Sequence, residues 1–389
     1  MLSPYDELPV HQTAQPVSVV VDTSTGFDDG YYFGAFSAEE QTFCFQGLRI
    51  SPNTDLVGGY VGLQRGGRQR TVRFSRTWRD DCATSVGPYQ ISIIAPYRHI
   101  RLELAPNDSG LACALNWYGA APAYLEAHHL ATNRGRPTTN QSRYSQAGTV
   151  QGWIEIDGER IDVAPPNWYG SRDHSWGLYF ERPPLAPNPA LLPPPAPEGT
   201  ARAMRFWTLF GSGALSGFYA IHEDADGRQV LMNDTFGTPF EGRLSVNWDD
   251  ETYELMAGRC ELELVSGTRL LRHGRVVLLD SAGGQWVQEV QPACLPWVTS
   301  TIGYQPGSWR DGGSMRTYHG PGVSVEHDEI DISRQPFDHR QHDGTWQRGL
   351  IGKEYLVRTR TTSPDGRVSE GCGQTELFLD GRYAPLGLT

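Results

Sequence analysis

The sequence lacks the features that usually mark membrane, secreted and nucleic-acid-binding proteins. No apolar run approaches the roughly 18 residues that a membrane span needs, and residues 1–7 have neither the basic start nor the apolar core of a signal peptide. The 33 Lys and Arg residues form no cluster and are outnumbered by 45 Asp and Glu residues, which gives a net charge of −12. An acidic chain of this kind is a poor candidate for binding nucleic acid or an anionic membrane. We therefore expect a cytoplasmic protein that has neither as a partner.

Cysteine is also scarce, and its spacing excludes two kinds of stabilising site. No Cys-x-x-Cys pair occurs in the sequence. In a chain of 389 residues, scattered cysteines are typical of free and largely buried thiols rather than of a disulfide framework or a zinc site. The six cysteines are Cys44, Cys82, Cys113, Cys260, Cys294 and Cys372.

Several catalytic motifs are missing as well. The sequence has no Gly-x-x-x-x-Gly-Lys-Ser/Thr phosphate loop and no Gly-x-Ser-x-Gly nucleophile elbow. It also has no Gly-x-Gly-x-x-Gly motif on a strand-to-helix turn, which makes a nicotinamide enzyme a poor interpretation. His339 and His342, flanked by Asp338 and Asp343, have the donor types of a metal site, but the stretch is typical of a solvated loop. We therefore expect no functional metal.

Aromatic residues, glycine and proline are abundant, and together they favour a β-rich fold. The chain has 11 Trp, 17 Tyr, 14 Phe, 44 Gly and 27 Pro. Apolar and polar residues alternate with period 2 along most of the sequence, as in residues 100–104 and 111–117. Asp-Gly or Gly-Gly pairs separate such segments at 66–67, 157–158, 226–227 and 365–366, which indicates hairpins. These patterns predict an all-β protein of antiparallel barrels or sandwiches.

Length and a proline-rich segment predict two domains. A chain of 389 residues exceeds what one compact core usually supports. The sharpest change in composition lies at 183–200, where proline favours extended, solvated chain. We predict an N-terminal domain at 1–182, a linker or a lid loop at 183–200, and a C-terminal domain at 201–389.

The stretch from Asn167 to Gly177 combines aromatic, acidic and basic residues in a way that no ordinary core strand needs. If it is extended, Arg172, His174 and Trp176 share one face, while Asp173 and Ser175 share the other. His174 suits proton transfer, although a core histidine satisfied by a carbonyl is the alternative. Trp176 either stabilises developing positive charge or packs in the core. Arg172 either holds a substrate oxygen or forms a salt bridge.

A second cluster precedes this stretch. In Tyr124-Leu125-Glu126-Ala127-His128, the side chains of Tyr124, Glu126 and His128 would share one strand face. This face either lines the cavity of the first barrel or forms a polar end of a barrel. Arg143 is a possible ion-pair partner of Glu126.

The segment Arg172-Asp173-His174-Ser175-Trp176-Gly177, with the approach segment 143–152, resembles a known group of proteins. The group comprises two-domain lipocalin-like proteins related to carotenoid 1,2-hydratase (hydroxyneurosporene synthase type), AttH-like proteins, and pericyclic cyclases that include some Diels–Alderases. The resemblance implies two consecutive antiparallel lipocalin-like barrels with an apolar cavity at or near their interface. It also implies acid–base chemistry, without a cofactor, on a lipophilic unsaturated substrate.

The resemblance also implies roles for particular residues. The proposed catalytic His and Trp of the hydratases match His174 and Trp176. A Tyr-x-Asp pair on a following strand has its nearest counterpart in Tyr219-Ala220-Ile221, which keeps the Tyr but lacks the Asp. This departure puts water addition to an alkene in doubt, since a proton donor is missing.

Together these observations predict a monomeric or homodimeric enzyme of the lyase or isomerase type. We expect it to hydrate, isomerise or cyclise a terpenoid, polyene or polyketide-like molecule without a cofactor. The alternative is a non-catalytic carrier of an isoprenoid, a fatty acid or an aromatic metabolite. The predicted catalytic residues are His174, Trp176, Asp173 and Arg172, and the predicted substrate-binding residues are Tyr169, Tyr219, Trp207, Tyr124, Glu126 and His128.

Overall fold

A computed structural model describes most of the chain. The described residues are 2, 4–7, 9, 12–133, 136–178, 202–232, 237–304, 306–333, 339–340, 346–347 and 352–389. The predicted linker or lid at 183–200 lies outside the described residues, as do Asp338, His342, Asp343 and the side chain of His339. The predicted domain boundaries therefore stay predictions. So does the expectation that residues 338–343 hold no functional metal.

Nearly all regular structure is β, as the period-2 alternation predicts. Short 3-10 helices occur at Pro4–Glu7, Pro52–Thr54, Thr299–Ile302 and Ala384–Leu386. In the described part of the chain, no helix has the length and apolar character to cross a membrane. The strands are β1 (Phe27–Ser37), β2 (Thr42–Ser51), β3 (Leu56–Arg65), β4 (Arg68–Thr77), β5 (Ser85–Val86), β6 (Tyr89–Ala95), β7 (His99–Leu104), β8 (Leu111–Gly119), β9 (Tyr124–Leu125), β10 (His129–Asn133), β11 (Arg136–Ile156), β12 (Glu159–Val163), β13 (Tyr169–Leu178), β14 (Met204–Ser212), β15 (Leu215–Glu223), β16 (Phe240–Val246), β17 (Thr252–Leu264), β18 (Leu271–Asp280), β19 (Gln285–Pro292), β20 (Ser324–Asp331), β21 (His339–Arg340), β22 (Trp346–Gln347), β23 (Gly352–Thr362) and β24 (Val368–Leu379).

The first half of the chain forms one curled antiparallel sheet. Its strand order is β20-β4-β3-β2-β1-β13-β11-β8-β7-β6-β5, and the short strands β9, β10 and β12 also pair with β11. The sheet wraps around an apolar core that includes Phe33, Trp117 and Val150, none of them exposed. We call the side of the sheet that faces this core its inner face.

The second half forms a closed antiparallel barrel. Its strands are β14 to β19 followed by β23 and β24. Inward side chains such as Phe206, Tyr219 and Leu377 fill the barrel, which has its own apolar core. The predicted all-β fold of two consecutive antiparallel units is confirmed; the second unit is closed, and the first is a half-barrel.

Most of the predicted hairpins occur where glycine permits a left-handed backbone. Asp157 and Gly158 have φ of 51° and 83° and join β11 to β12. Gly66 and Gly67, at φ of 58° and 77°, join β3 to β4. Asp226-Gly227 is different, because it forms a turn inside the longer connection between β15 and β16 rather than a tight hairpin. The cysteine prediction is confirmed, since all six are free thiols.

Strand β20 leaves the barrel half of the chain and joins the first sheet. It pairs with β4 along its whole length, from Ser324 opposite Ser75 to Asp331 opposite Arg68. The guanidinium of Arg73, which is fully buried, binds the carboxylates of Glu326 (at 2.6 Å) and Asp328. The carboxylates of β20 therefore neutralise the positive charge of the arginines of β4. Strand β20 forms the outer edge of the sheet.

Candidate active site

Strand β13 carries the Arg172 to Gly177 motif through the middle of the first sheet. It pairs with β1 on one side and with β11 on the other, which places Tyr31 and Tyr144 directly opposite His174. Because side chains alternate along a strand, Arg172, His174 and Trp176 lie on the inner face. Ser171 lies on the opposite face, where its hydroxyl donates to Gln374 of the barrel at 2.5 Å.

His174 is held through both ring nitrogens. Its Nε2 lies 2.6 Å from Asp29 Oδ1, and its Nδ1 lies 3.2 Å from the hydroxyl of Tyr144. Because a carboxylate can only accept, Asp29 places the proton of a neutral imidazole on Nε2 and leaves Nδ1 as an acceptor. The side chain of His174 is 18% exposed and that of Asp29 is 46% exposed, so a small molecule can reach this pair.

Tyr144 connects His174 to Arg172. Arg172 donates from Nη2 to the Tyr144 hydroxyl at 2.7 Å and from Nε to Gln146 Oε1 at 3.1 Å. Burial raises the pKa of Tyr144 to about 12, although the positive charge of Arg172 opposes this shift. The phenol therefore keeps its proton at neutral pH and can donate it to Nδ1 of His174.

Arg172 is surrounded by aromatic rings. A salt bridge to an acidic residue was one of the two predicted roles for this side chain. Within the described residues it forms no ion pair with a carboxylate, so that alternative is wrong there. Its guanidinium carbon lies 4.9 Å from the ring centre of Tyr144, 5.2 Å from that of Trp117 and 5.8 Å from that of Tyr97. Burial lowers the pKa of Arg172, but guanidinium stays protonated at neutral pH. The site thus holds a positive charge without a carboxylate beside it.

Aromatic rings enclose the pair of Asp29 and His174. The ring of Tyr31 lies 4.2 Å from that of His174, and the ring of Trp176 lies 5.3 Å from it. The ring of Tyr97, which is 46% exposed, contacts that of Tyr144 edge-on at 5.4 Å. An electron-rich surface therefore surrounds the groups that can move a proton.

Asp173 lies apart from this cluster, on the opposite face of β13. Desolvation raises the pKa of its carboxyl, and the charge of Arg143 partly offsets that effect. The site therefore brings together three of the four predicted catalytic residues, namely Arg172, His174 and Trp176.

The second predicted cluster lies at the boundary with the barrel. Glu126 is buried, accepts a hydrogen bond from Ser145 at 2.5 Å and lies 3.9 Å from Arg143, as expected for that ion pair. The ring of Tyr124 packs 5.1 Å from that of Phe218 of the barrel. His128 is exposed and bonds to Asn140 at 2.9 Å. The expectation that Glu126 and His128 share a face is therefore wrong, because β9 ends at Leu125 and both residues lie beyond the strand, where alternation no longer holds.

The remaining predicted substrate-binding residues lie in three other places. Tyr219 is inside the barrel core, where its hydroxyl donates to Gln288 at 2.7 Å. Trp207 packs edge-on against Phe218 on the outside of the barrel, at 5.8 Å. Tyr169 lines a cleft between the two units. The structure does not bring these side chains together with His174.

The cleft beside Tyr169 has a volume of about 540 Å³ and receives residues from both units. Ionisable side chains line part of it beside apolar groups, so the cleft is only partly the apolar interface cavity that the resemblance implies. These side chains are Glu39, His273, Glu289, Arg358, Arg360 and Glu370.

Sequence reasoning missed two residues of the site, Asp29 and Tyr144. Tyr144 belongs to the approach segment 143–152, but its role depends on the register of β11 against β13. Asp29 is 145 positions from His174 in the sequence, and only the pairing of β1 with β13 brings them together. The signal that could have found Asp29 is an acidic residue within the otherwise aromatic alternation of β1.

The sequence matches, over residues 2–389, the family described as "Family of unknown function (DUF8625)". Because the match covers nearly the whole sequence, the chain belongs to this family. The sequence has no match among curated proteins.

The fold is also similar to that of two proteins whose structures have been solved. The chain is similar to kievitone hydratase from Nectria haematococca, with 9% identity, a TM-score of 0.44, and coverage of 90% of this chain and 89% of that one. It is also similar to CghA with Sch210972, with 11% identity, a TM-score of 0.46, and coverage of 97% of both chains. At TM-scores below 0.5, neither likeness indicates what this chain does.

Proposed function

We propose that this member of the DUF8625 family is an enzyme that moves a proton on an unsaturated small molecule, by hydration, isomerisation or cyclisation. The observation that carries the proposal is the continuous relay from Asp29 through His174 and Tyr144 to Arg172. A carrier protein needs a cavity, but it does not need a histidine with both nitrogens held beside an arginine that, among the described residues, pairs with no carboxylate. The relay therefore favours catalysis over the carrier alternative.

In the base direction, the substrate loses a proton to the phenol oxygen of Tyr144. At the same time, Tyr144 passes its own proton to Nδ1 of His174, 3.2 Å away. The resulting imidazolium is stabilised by the carboxylate of Asp29 at 2.6 Å. Tyr144 carries no net charge before or after the transfer, so its high pKa is no obstacle.

In the acid direction, each transfer runs in reverse. Imidazolium returns a proton from Nδ1 to the oxygen of Tyr144, and the Tyr144 hydroxyl gives its proton to the substrate. Arg172, which donates to the same oxygen at 2.7 Å, favours negative charge there while the proton moves. A relay of this type contributes about 10²- to 10⁴-fold to a rate, and no step requires a cofactor.

The surroundings of the relay favour an unsaturated, lipophilic substrate. The faces of Tyr31 and Trp176 can stabilise positive charge on a protonated alkene by roughly 0.5–2 kcal/mol. Arg172 can bind a carbonyl oxygen of an enone through its charged guanidinium. Holding a flexible polyene against these walls also lowers the barrier to cyclisation, because the reacting ends are brought together.

The test is an incubation in D2O with a panel of terpenoids, polyenes and enones, followed by mass spectrometry of the products. We expect the gain of one water, uptake of deuterium, or an isomer of unchanged mass. His174→Gln should lose the product while the protein still binds the compound. His99→Gln is the matched control, because the side chain of His99 bonds to Asn116 and stacks on Tyr118, outside the relay.

Two results would contradict the proposal. Equal turnover by wild type and His174→Gln would remove His174 from the reaction. Recovery of every compound unchanged, with some bound to the purified protein, would identify a carrier and make the relay a structural network.

A further inference from the structure

Lys353 is the only lysine among the 33 Lys and Arg residues of the chain. It lies near the start of β23 and alternates with the inward residues Tyr355 and Val357, so its side chain enters the barrel. The residue is only 5% exposed. A buried ammonium group is costly unless something compensates its charge.

The protein residues around Lys353 supply no such compensation. Within the described part of the chain, it has no hydrogen bond and no ion pair. Burial, together with the nearby charge of Arg269, lowers the pKa of Lys353 to about 8. The charged group that influences Lys353 is thus a second cation. Glu223, a carboxylate at this end of the barrel, is already held by the hydroxyl of Tyr383 at 2.5 Å.

Arg269 also has donor capacity that the described residues leave unused. Its Nη2 donates to main-chain oxygens, at 2.7 Å to Gly381 and at 3.2 Å to Thr389. Its Nη1 is buried and finds no hydrogen-bond acceptor among those residues. Buried guanidinium nitrogens are normally bonded, so this atom can donate to a further acceptor, and an anion would form the stronger, charge-assisted bond.

A third donor lies on the same face of β23. The hydroxyl of Tyr355 accepts a hydrogen bond from the main-chain N–H of Leu271 at 3.1 Å, which leaves its own proton for another acceptor. Tyr355 is buried, and burial raises its pKa, so it remains a donor at neutral pH. Lys353, Arg269 and Tyr355 thus contribute three donors at one end of the barrel.

A cleft at this end gives a ligand room beside Arg269, which lines it. Lys353 and Tyr355 do not line the cleft; Tyr355 contacts Leu271, two residues after Arg269, from inside the barrel. The cleft has a volume of about 590 Å³ and lies between residues 264–269 and 386–389. Four aliphatic residues line it, which suits a hydrocarbon chain: Leu264, Val265, Leu386 and Leu388.

We propose that Lys353 and Arg269 bind the carboxylate of an aliphatic acid whose hydrocarbon chain occupies the cleft between 264–269 and 386–389. Tyr355 donates the third hydrogen bond. This site lies in the barrel and does not depend on the relay at His174, so either site can be tested without the other.

The test measures binding of octanoate by the full chain, from the rise in melting temperature and by calorimetry. Octanol is the control for the hydrocarbon chain, and inorganic phosphate is the control for charge alone. We expect octanoate alone to bind, and Lys353→Met to weaken its binding at least tenfold. Arg360→Met, which removes an outward cation from the same strand, should bind octanoate like wild type. Lys353→Arg should retain most of the affinity, because it keeps the charge.

Proton uptake gives a readout that a structural lysine would not change. At pH 8.5 part of the Lys353 population is neutral, and a bound carboxylate recharges it, so calorimetry in two buffers of different ionisation enthalpy should show uptake of protons. The other charged or titratable groups at this end of the barrel include Arg269, Tyr355, Glu223, Asp224, Cys260 and Tyr383. The proposal is overturned if octanol binds as well as octanoate, if phosphate alone binds, or if wild type binds octanoate without proton uptake. The measurement of proton uptake uses only the wild-type protein, so it tests the proposal even if Lys353→Met does not fold.

Discussion

Replacing Lys353 with Met should stabilise the protein at neutral pH, because it removes a buried charge without removing its hydrocarbon stem. The pKa of this amine falls from 10.5 to about 8 on folding. Since one pKa unit corresponds to about 1.36 kcal/mol, the shift sets an upper limit of about 3 kcal/mol. Water near the end of the barrel screens part of this cost, and we expect a gain of about 1–2 kcal/mol.

The pH dependence of the gain in unfolding free energy distinguishes two explanations of it, the removal of a buried charge and better packing. The folded pKa of this base is depressed, so the cost of the charge is fully present below pH 8 and disappears as the pH rises towards 10.5. Urea unfolding of wild type and Lys353→Met, followed by tryptophan fluorescence, should show a large gap at pH 7 and a smaller gap at pH 9.5. A gap of equal size at both values, or none at pH 7, would refute this account of Lys353.

Four further predictions follow from the site and the sheet. Asp29→Asn should lower the rate of product formation by about 10²- to 10⁴-fold with little change in melting temperature, because the imidazolium loses its counter-charge. Tyr144→Phe should lower the same rate by at least about 10²-fold and leave binding of the compound intact, since it interrupts the relay. Glu354→Gln should flatten the fall in stability between about pH 5 and 8, measured by urea unfolding; burial raises the pKa of this carboxyl to about 8, so over this range the unfolded chain ionises the group while the folded state keeps it protonated. Arg73→Met should destabilise the protein by about 3–5 kcal/mol in the same assay, because it leaves two carboxylates of β20 without their cation.

Alternation and turn chemistry were enough to predict the class of fold. Period 2 assigned strands along most of the chain, and it correctly placed Arg172, His174 and Trp176 on one face of β13. Asp157-Gly158 formed the predicted hairpin, since both residues adopt the left-handed backbone that this turn requires.

Contacts between strands distant in sequence could not be predicted in this way. A period of two fixes which face a side chain occupies, but it does not say which strand lies beside it or in what register. Asp29 and Tyr144 therefore stayed out of the predicted site, although both lie within reach of His174. The expectation for His128 was wrong for a related reason, because alternation holds only while the strand lasts, and β9 ends at Leu125.

The pairing of β20 with β4 also sets an order of events during synthesis. The residue pair Arg73 and Asp328 is separated by 255 positions, and a ribosome adding about 5–20 residues per second needs tens of seconds to make that length of chain. Once β1 to β4 have paired, β4 is an open edge until β20 is made, and its arginines lie beside unpaired main-chain groups. An open edge is a template for pairing with another chain, and positive charges along it oppose such pairing. The arginines of β4 thus protect the nascent sheet first by repulsion, and they later select the acidic strand that completes it.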